Sequence, residues 1–224
     1  MDVREAVASR YSCRSFLEKP VPKEIIREII SRAARAPSAG NMQPWRVYVL
    51  GGDAIKALKA DLAARTNELP KGEGGDYRIY PEPMTSPYQE RRYEVGERLY
   101  GSIGVARDDK PNRYRQYARN YQFFGAPVAL FFALERSFGV AQWADIGGYL
   151  QTFMLLARAY GLNTCPQQAW VAFPKTVRSH LALPANMIVY SGMALGYAVE
   201  SDPINLWRSP RAPLETYATF SGFD

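Results

Sequence analysis

The run Val128-Ala129-Leu130-Phe131-Phe132-Ala133-Leu134 decides the fold, because every one of its positions is apolar. A strand with apolar residues on both faces is buried on both faces, so it belongs inside a sheet and not at its edge. Gly125, Ala126 and Pro127 interrupt regular structure immediately before this run. The sequence therefore predicts a central strand at residues 128–134.

Two further strands and a helix are predicted on either side of this run. Residues 46–50 form a short strand pattern that ends at two glycines, and residues 187–193 form another. Asp53 is expected to cap a helix that extends to about Arg65.

Two longer helices have the clearest patterns. Residues 22–36 carry isoleucine and alanine at helical spacing, with Pro22 in the first turn and Pro37 as the stop. Residues 144–160 form a strongly apolar helix that Gly161 ends. Helices and strands are thus interspersed, which predicts a mixed helix and sheet fold without giving the strand order.

Two segments lack the pattern of a core. Residues 66–87 are interrupted by prolines and glycines, and two helices follow them, at about residues 88–102 and 111–121. We expect residues 66–124 to be a lid or excursion over a site, since long irregular segments in compact domains often are. Residues 200–224 are polar and hold three prolines, so we expect this tail to wrap over another surface.

Composition limits the class of protein. A chain of 224 residues with 47% apolar and 22% charged residues is typical of one globular domain, here residues 1–224. The net charge of +6 comes from dispersed basic residues, which argues against a nucleic-acid partner and is compatible with small anionic ligands. No apolar run approaches the roughly 18 residues that span a bilayer, and the charged N-terminus has no signal core. We therefore expect a cytoplasmic protein with no membrane partner.

The chain has little side-chain machinery for catalysis. Its two cysteines are too few for a disulfide scaffold, and the only histidine, His180, lies near a predicted helix end. A histidine-rich metal site and a Ser-His-Asp triad are both excluded, and we expect no metal. If the protein is an enzyme, a cofactor carries the chemistry.

The segment Arg10-Tyr11-Ser12-Cys13-Arg14 has phosphate-binding chemistry. In an extended chain Arg10, Ser12 and Arg14 point to one side, and guanidinium groups form forked hydrogen bonds with phosphate. A solvated charged surface is the alternative interpretation of the same residues.

Three other segments are compatible with a ligand. Residues 37–45 combine small residues with the amides of Asn41 and Gln43, and residues 161–170 repeat that combination after a helix. Residues 208–211 add two guanidinium groups in an extended tail. The alternative interpretations of these three segments are, in the same order, a helix stop with a tight turn, a helix-to-strand connection and a solvated tail.

Taken in order, these segments resemble the FMN-dependent nitroreductase family, and the resemblance covers nearly the whole chain. It is closest to the bacterial NAD(P)H nitroreductase-like branch, which has Phe-Phe-Gly-Ala-Pro before a strand, here residues 123–127. That branch also has a Gln-Trp-x-Asp-x-Gly helix start, here residues 142–147.

The resemblance implies an α+β fold with a central, mostly antiparallel sheet flanked by helices. It also implies a homodimer with two FMN sites at the subunit interface and a C-terminal tail, residues 200–224, that extends over the partner subunit. Arg10, Ser12 and Arg14 would hold the phosphate and the pyrimidine edge of the ring, and Arg211 would join them at the phosphate. Residues 37–43 would reach the FMN of the other subunit, and residues 166–169 would lie along the flavin. The implied cofactor-binding residues are Arg10, Tyr11, Ser12, Arg14, Pro37, Ser38, Ala39, Asn41, Gln43, Pro166, Gln167, Gln168, Ala169, Arg208 and Arg211.

The implied activity is electron transfer from NAD(P)H, by a ping-pong mechanism, to a nitroaromatic or quinone-like acceptor. The chemistry takes place at N5 of FMN, so no side chain is expected to be catalytic. A pocket for a small aromatic substrate is expected, and its candidate residues are Gly40, Tyr88, Tyr93, Phe123 and Phe124. Specificity is expected to depend on residues 72–124. Core or interface packing is the alternative interpretation of the aromatic residues.

Two positions depart from the family pattern. Many relatives have Glu-Gly where Gln168 and Ala169 stand, and some have lysine at the position of Ser209. Arg208 can supply the cation that Ser209 lacks. Two other functions are open: a flavin-dependent reductive dehalogenase of halophenols, and a flavin-binding protein without turnover. The choice between NADH and NADPH is open as well.

Overall fold

The computed structural model describes residues 1–223 as a four-stranded sheet with helices on both faces. The sheet order is β1-β2-β4-β3, and every neighbouring pair is antiparallel. The strands are β1 (Arg46–Leu50), β2 (Val128–Glu135), β3 (Asn163–Gln167) and β4 (Met187–Gly196). The helices are α1 (Val3–Ser9), α2 (Lys23–Ala33), α3 (Gly52–Glu68), α4 (Tyr88–Gly101), α5 (Lys110–Ala118), α6 (Val140–Ala159), α7 (Pro174–Leu181) and α8 (Pro203–Leu206).

Strand β2 divides the core into two layers. Side chains alternate along a strand, so Leu130 and Phe132 face one side while Phe131 faces the other. The first side packs against α2 and α6. The second side packs against α3 and α7 and contains the buried indole of Trp170. The expected antiparallel sheet flanked by helices is confirmed, and β2 is central as predicted.

Strand β3 was not predicted, because residues 161–170 have the composition of a turn. It forms through pairing: Asn163 lies opposite Gly196, and Pro166 lies opposite Met193 of β4. β3 is the last strand in the sheet order, a position at which a proline is tolerated. Helix α1 was not predicted either. Asp2 caps it, with Glu5 completing a capping box.

Several predicted boundaries were wrong by a few residues. Helix α2 stops at Ala33, before residue 36, and its cap is Pro22. Asp53 is not a cap, since α3 begins at Gly52 with Gly51 as the capping residue and extends to Glu68. Strand β4 extends to Gly196, beyond residue 193. After α5 the chain forms a 3-10 turn, Arg119–Gly125, in which Phe123 and Phe124 have positive φ.

The irregular segment before α4 is bonded to the body of the domain. The carboxylate of Glu73 accepts hydrogen bonds from the N–H groups of Lys175 and Thr176, at 2.8 and 3.0 Å, at the start of α7. Asp76 accepts bonds from Arg136 and Arg178. Polar contacts therefore fix the beginning of the excursion, residues 66–124, to the helical layer around α7.

Candidate functional site

A cavity of about 350 Å³ lies between α1, α4, residues 10–14 and the C-terminal tail. The two arginine-bearing segments of the sequence meet in its walls, which carry four guanidinium groups. None of the described residues that line the cavity is acidic. The lining residues are Val7, Ala8, Arg10, Tyr11, Ser12, Arg14, Val95, Leu99, Ile204, Trp207, Arg208, Ser209 and Arg211.

Residues 10–14 are extended because they pair with β3. Ser12 forms a parallel bridge with Thr164, and the Cys13 N–H donates to the Thr164 carbonyl at 3.0 Å. Arg10, Ser12 and Arg14 line one cavity, but Tyr11 lines it too, so a simple alternation of sides does not describe this segment. The pairing fixes the segment next to the strand that ends at Gln167.

Asn205 joins the start of the tail to this segment. Its side chain is buried, and its Oδ1 accepts a hydrogen bond from the Arg14 N–H at 2.8 Å. Its Nδ2 donates to the carbonyls of Ser15 and Val199, both at 2.9 Å. The sequence interpretation missed Asn205. Asp202-Pro203 was the available signal, since a cap residue followed by proline is typical of a helix start and would have placed Asn205 on α8.

The four guanidinium groups of this cavity, which we call the arginine cavity, lack carboxylate partners. Among residues 1–223 none of the ion pairs includes Arg10, Arg14, Arg208 or Arg211. Burial, followed by the positive charge of Arg211, lowers the pKa of Arg10. An anion in the cavity would offset this repulsion, so the charge distribution favours a ligand such as phosphate.

A second cavity, of about 580 Å³, lies along the residues that follow β3. We call it the turn cavity, because residues 166–169 form one of its walls. Its polar groups are amides and hydroxyls, apart from a single guanidinium. The lining residues are Ile79, Tyr80, Arg92, Tyr117, Asn120, Gly147, Leu150, Gln151, Met154, Pro166, Gln167, Gln168, Ala169, Tyr190 and Ser191.

The wall formed by residues 166–169 is held rigidly. Gln167 Nε2 donates to the Asn120 carbonyl at 2.8 Å, and the Tyr121 hydroxyl donates to the Ala169 carbonyl at 3.3 Å. Trp170 is fully buried behind this wall and stacks on Phe123 with ring centroids 4.5 Å apart. Gln167 Oε1 is buried and has no hydrogen-bond partner among residues 1–223. Its capacity to accept a hydrogen bond is therefore unsatisfied within the described protomer.

Residues 37–43 do not reach either cavity of their own protomer. They lie at the start of α6, where the Ala39 N–H donates to Asp145 Oδ2 at 3.2 Å. Gly40 has a φ of +57°, and its Cα faces open space. Asn41 and Gln43 are exposed and bond to each other, with 3.1 Å between Gln43 Nε2 and Asn41 Oδ1. The ligand-compatible groups of this segment therefore point away from the domain.

The expected substrate-pocket residues lie in different parts of the structure. Phe123 and Phe124 are 0% and 2% exposed and belong to the core, so the expectation that they line a pocket is wrong. The 3-10 turn directs both rings into the core, where Phe123 stacks on Trp170. Tyr88 is 61% exposed and lines an apolar cavity of about 340 Å³. Tyr93 is exposed and its ring faces Arg107, outside both the arginine cavity and the turn cavity.

The fold and sequence can be compared with known proteins. A family model described as the nitroreductase family matches residues 7–197 of the chain. The chain belongs to the nitroreductase family. A 4-nitrobenzoate reductase of Pseudomonas putida is 38% identical over 223 residues, which cover 100% of this chain and 97% of that protein.

Solved structures of nitroreductase-family proteins have the same fold. The FMN and NADPH-dependent nitroreductase NfnB from sphigopyxis sp. strain HMH superimposes with a TM-score of 0.97 at 43% identity, with 100% of both chains covered. The FMN-dependent nitroreductase NfnB from Mycobacterium smegmatis, solved in complex with NADPH, gives a TM-score of 0.92 at 31% identity and 97% coverage of both chains.

Residues 1–223 contain neither a membrane-spanning helix nor a cluster of metal-ligating side chains. No helix within residues 1–223 has the length and apolar character needed to cross a membrane. The same part of the chain contains no group of three or more His, Cys, Asp or Glu side chains placed to hold a metal ion.

Proposed function

We propose that this nitroreductase-family chain is an FMN-dependent oxidoreductase that takes electrons from NAD(P)H and reduces nitroaromatic or quinone-like acceptors. The main observation behind this proposal is the arginine cavity, whose four guanidinium groups have no carboxylate partner among residues 1–223. Its segment 10–14 is bridged to β3, which leads into the wall of amide groups at residues 166–169. The relatives named above, a 4-nitrobenzoate reductase and two FMN-dependent nitroreductases, support the same activity.

The donor set of the arginine cavity fits a phosphate group. Four planar guanidinium groups offer pairs of N–H donors, and one hydroxyl adds a further donor. They belong to Arg10, Arg14, Arg208, Arg211 and Ser12. Burial raises the pKa of the Tyr11 phenol to about 12, so this side chain stays a neutral donor near neutral pH. These groups would hold the phosphate of FMN.

The wall of the turn cavity fits a flat heterocycle. Residues 166–169 present backbone and amide groups, and Gln167 Oε1 is a buried acceptor without a partner. When bound, FMN supplies the redox chemistry, since it can accept two electrons from a nicotinamide and pass them to an acceptor. The protein's part is to orient the ring, with Trp170 and Asn120 keeping the wall in place.

We further propose that the site is completed by a second copy of the chain. Residues 37–43 carry Asn41 and Gln43 on the outside of their own domain, which supports a role in the partner's site. The tail supports the same arrangement, because Tyr217, Phe220 and Phe223 are 71%, 67% and 82% exposed in the protomer. Two free, buried cysteines are compatible with the reducing cytoplasm that we propose as its location.

Cofactor uptake and turnover test the activity. The purified protein should be yellow with FMN, and NADH or NADPH should bleach it without oxygen. Nitrobenzene, a quinone and a halophenol are then offered to the reduced protein. Reoxidation by nitrobenzene or the quinone supports the proposal. Reoxidation by the halophenol alone indicates a dehalogenase, colour without bleaching indicates flavin binding without turnover, and failure to take up FMN contradicts the site.

Mixed dimers test the shared site. Arg10→Met damages the arginine cavity, and Asn41→Ala damages the segment proposed to come from the partner. A heterodimer of the two variants has one intact site and one doubly damaged site, so it should recover about half of the wild-type FMN content. Mixing Arg10→Met with Arg211→Met is the control, because both residues line the same cavity of one protomer. Recovery in the control, or none in the test, contradicts the shared site.

A further inference from the structure

Arg92 stands at the boundary between two cavities on the exposed side of α4. It lines the turn cavity and also the apolar cavity that Tyr88 borders. Its guanidinium carbon lies 4.4 Å from the centroid of the Tyr80 ring. Tyr80 lines both cavities too, so the stacked pair marks the place where they meet. A guanidinium stacked on an aromatic face is attracted to the ring and loses rotational freedom.

The charge of Arg92 is not neutralised within the described protomer. Two arginines of this region are paired: Arg98 with Glu94, and Arg113 with Glu97 through two hydrogen bonds of 2.7 and 2.8 Å. Arg91 and Arg107 stack on tyrosine rings as Arg92 does, but they do not line the turn cavity. Arg92 takes part in none of the ion pairs found among residues 1–223. None of the described residues lining the turn cavity is acidic. Arg92 is thus a single oriented cation that can accept an anionic partner.

The rest of the turn cavity suits an aromatic ring and not a second charge. Leu150 and Met154 of α6 contribute apolar surface, and Ile79 adds to it from the excursion. Asn120 and Gln151 are neutral hydrogen-bonding groups. With the flavin along residues 166–169, a flat substrate would lie over the ring on the side of Ile79 and Arg92, where it meets apolar contacts and one positive charge.

We propose that Arg92, oriented by Tyr80, binds an anionic substituent of the aromatic acceptor, so that the enzyme prefers nitroaromatic acids to neutral nitroarenes. This inference rests on the proposed function and specifies its substrate class. Arg92 acts in specificity and takes no part in electron transfer. Its removal should therefore raise KM for an acidic acceptor and leave kcat nearly unchanged. Because one charged hydrogen bond at a partly exposed site is lost, KM should rise about tenfold.

The test compares 4-nitrobenzoate with nitrobenzene in the FMN-loaded dimer. Arg92→Gln should raise KM for 4-nitrobenzoate about tenfold and leave kcat/KM for nitrobenzene unchanged. Arg92→Lys should recover part of the loss, because it restores the charge without the forked geometry. Arg91→Gln is the matched control: it removes the same charge from the neighbouring position, where Arg91 borders a different cavity beside the tail. It should leave both acceptors unaffected.

A binding measurement decides the proposal without turnover. Calorimetry should show tighter binding of benzoate than of benzamide to the wild type, and Arg92→Gln should abolish that difference. An equal loss of kcat/KM for both nitro compounds would overturn the proposal in favour of a structural role for Arg92. A raised KM for NADPH, with no change in KM for 4-nitrobenzoate, would overturn it in favour of a contact with the coenzyme phosphate. If the protein reduces neither nitro compound, the proposed function fails, and the benzoate comparison still decides whether Arg92 binds aromatic anions.

Discussion

The guanidinium carbon of Arg208 lies 3.9 Å from the centroid of the Tyr11 ring, which joins the C-terminal tail to the first extended segment. Arg208 also donates to the carbonyls of Asn205 and Trp207 at 2.7 and 2.9 Å. These contacts keep its charge at the arginine cavity without a carboxylate. The proposed phosphate site thus depends on the tail, and ligand binding should stabilise the tail in turn.

The first prediction separates recognition of the phosphate from recognition of the ring. Arg10→Met should weaken FMN binding by about 10- to 100-fold, because a charged hydrogen bond is lost in a partly buried site. Riboflavin has no phosphate, so its weaker binding should not change. Quenching of flavin fluorescence measures both dissociation constants. Arg4→Met, on the exposed side of α1, is the control. An equal loss for both flavins would show that Arg10 does not contact the phosphate.

Local sequence patterns were sufficient to predict those strands whose own residues favour a strand. Strand β1 has the predicted bounds, and β2 differs from its prediction by one residue. Glycine or proline borders both strands, and β2 is in addition a nearly continuous apolar run. Strand β3 could not be predicted in the same way. Its Asn-Thr-Cys-Pro-Gln sequence has weak strand propensity, and only pairing with β4 makes it a strand.

The candidate site also contains some residues that local sequence predicts and others that only the fold reveals. The guanidinium groups of residues 10–14 and 208–211 are visible in the sequence as phosphate-binding chemistry, and the structure places them around one cavity. Asn205 and Arg92 matter through contacts with distant segments, Arg14 and Tyr80, which no local pattern records. The inward rings of Phe123 and Phe124 depend on positive φ angles that aromatic residues rarely adopt. Core packing was the alternative interpretation of these two rings, and no local pattern decided between it and a pocket.

A second prediction concerns acid stability. Burial acts to raise the pKa of Asp76, but hydrogen bonds from Arg136 and Arg178 outweigh it and hold that pKa below its ordinary value. The stabilisation is present at neutral pH and is lost as the pH falls through this lowered pKa. Asp76→Asn should therefore lower the free energy of unfolding by about 1–2 kcal/mol at neutral pH. The difference from wild type should shrink between about pH 5 and pH 2.

Urea unfolding at several pH values measures this difference. Asp53→Asn is the control, since Asp53 pairs only with Lys56 and its side chain is 99% exposed. Its effect should stay below about 0.5 kcal/mol at every pH. A constant Asp76→Asn effect across the acid range would contradict the role assigned to the carboxylate.

A third prediction concerns the core behind the turn cavity. A Cβ at Gly192 would overlap Trp170 Cδ1, and the indole is fully buried between aromatic neighbours. Gly192→Ala should destabilise the protein by about 1–3 kcal/mol, because the ring must shift in a packed core. It should also weaken flavin binding, since Trp170 supports residues 166–169.

Gly96→Ala is the matched control for this substitution. Gly96 lies within α4, and an added Cβ there would meet nothing within 4 Å. The change should stabilise the helix by about 0.5–1 kcal/mol. Thermal or urea unfolding compares the two variants. If Gly192→Ala is as stable as wild type, the contact between Gly192 and Trp170 is not as close as described.

The last prediction tests the tail as a dimer contact. Phe220 and Phe223 pack on each other, with ring centroids 6.2 Å apart, while remaining mostly exposed in the protomer. Burying such rings against a partner would stabilise a dimer by about 1.5–3 kcal/mol for each ring. Phe220→Ser combined with Phe223→Ser should therefore raise the dimer dissociation constant by at least about tenfold.

Sedimentation at several protein concentrations measures the dimer dissociation constant. The FMN content of each variant is measured in parallel. Val3→Ser combined with Val49→Ser is the control, because it removes two exposed apolar side chains that lie outside the tail. If the site is shared between subunits, the tail variant should lose FMN in parallel with dimer dissociation, and high protein concentration should restore both. A tail variant that stays dimeric would place these rings outside the interface. One that becomes monomeric and keeps its FMN would show that a single chain forms the whole site.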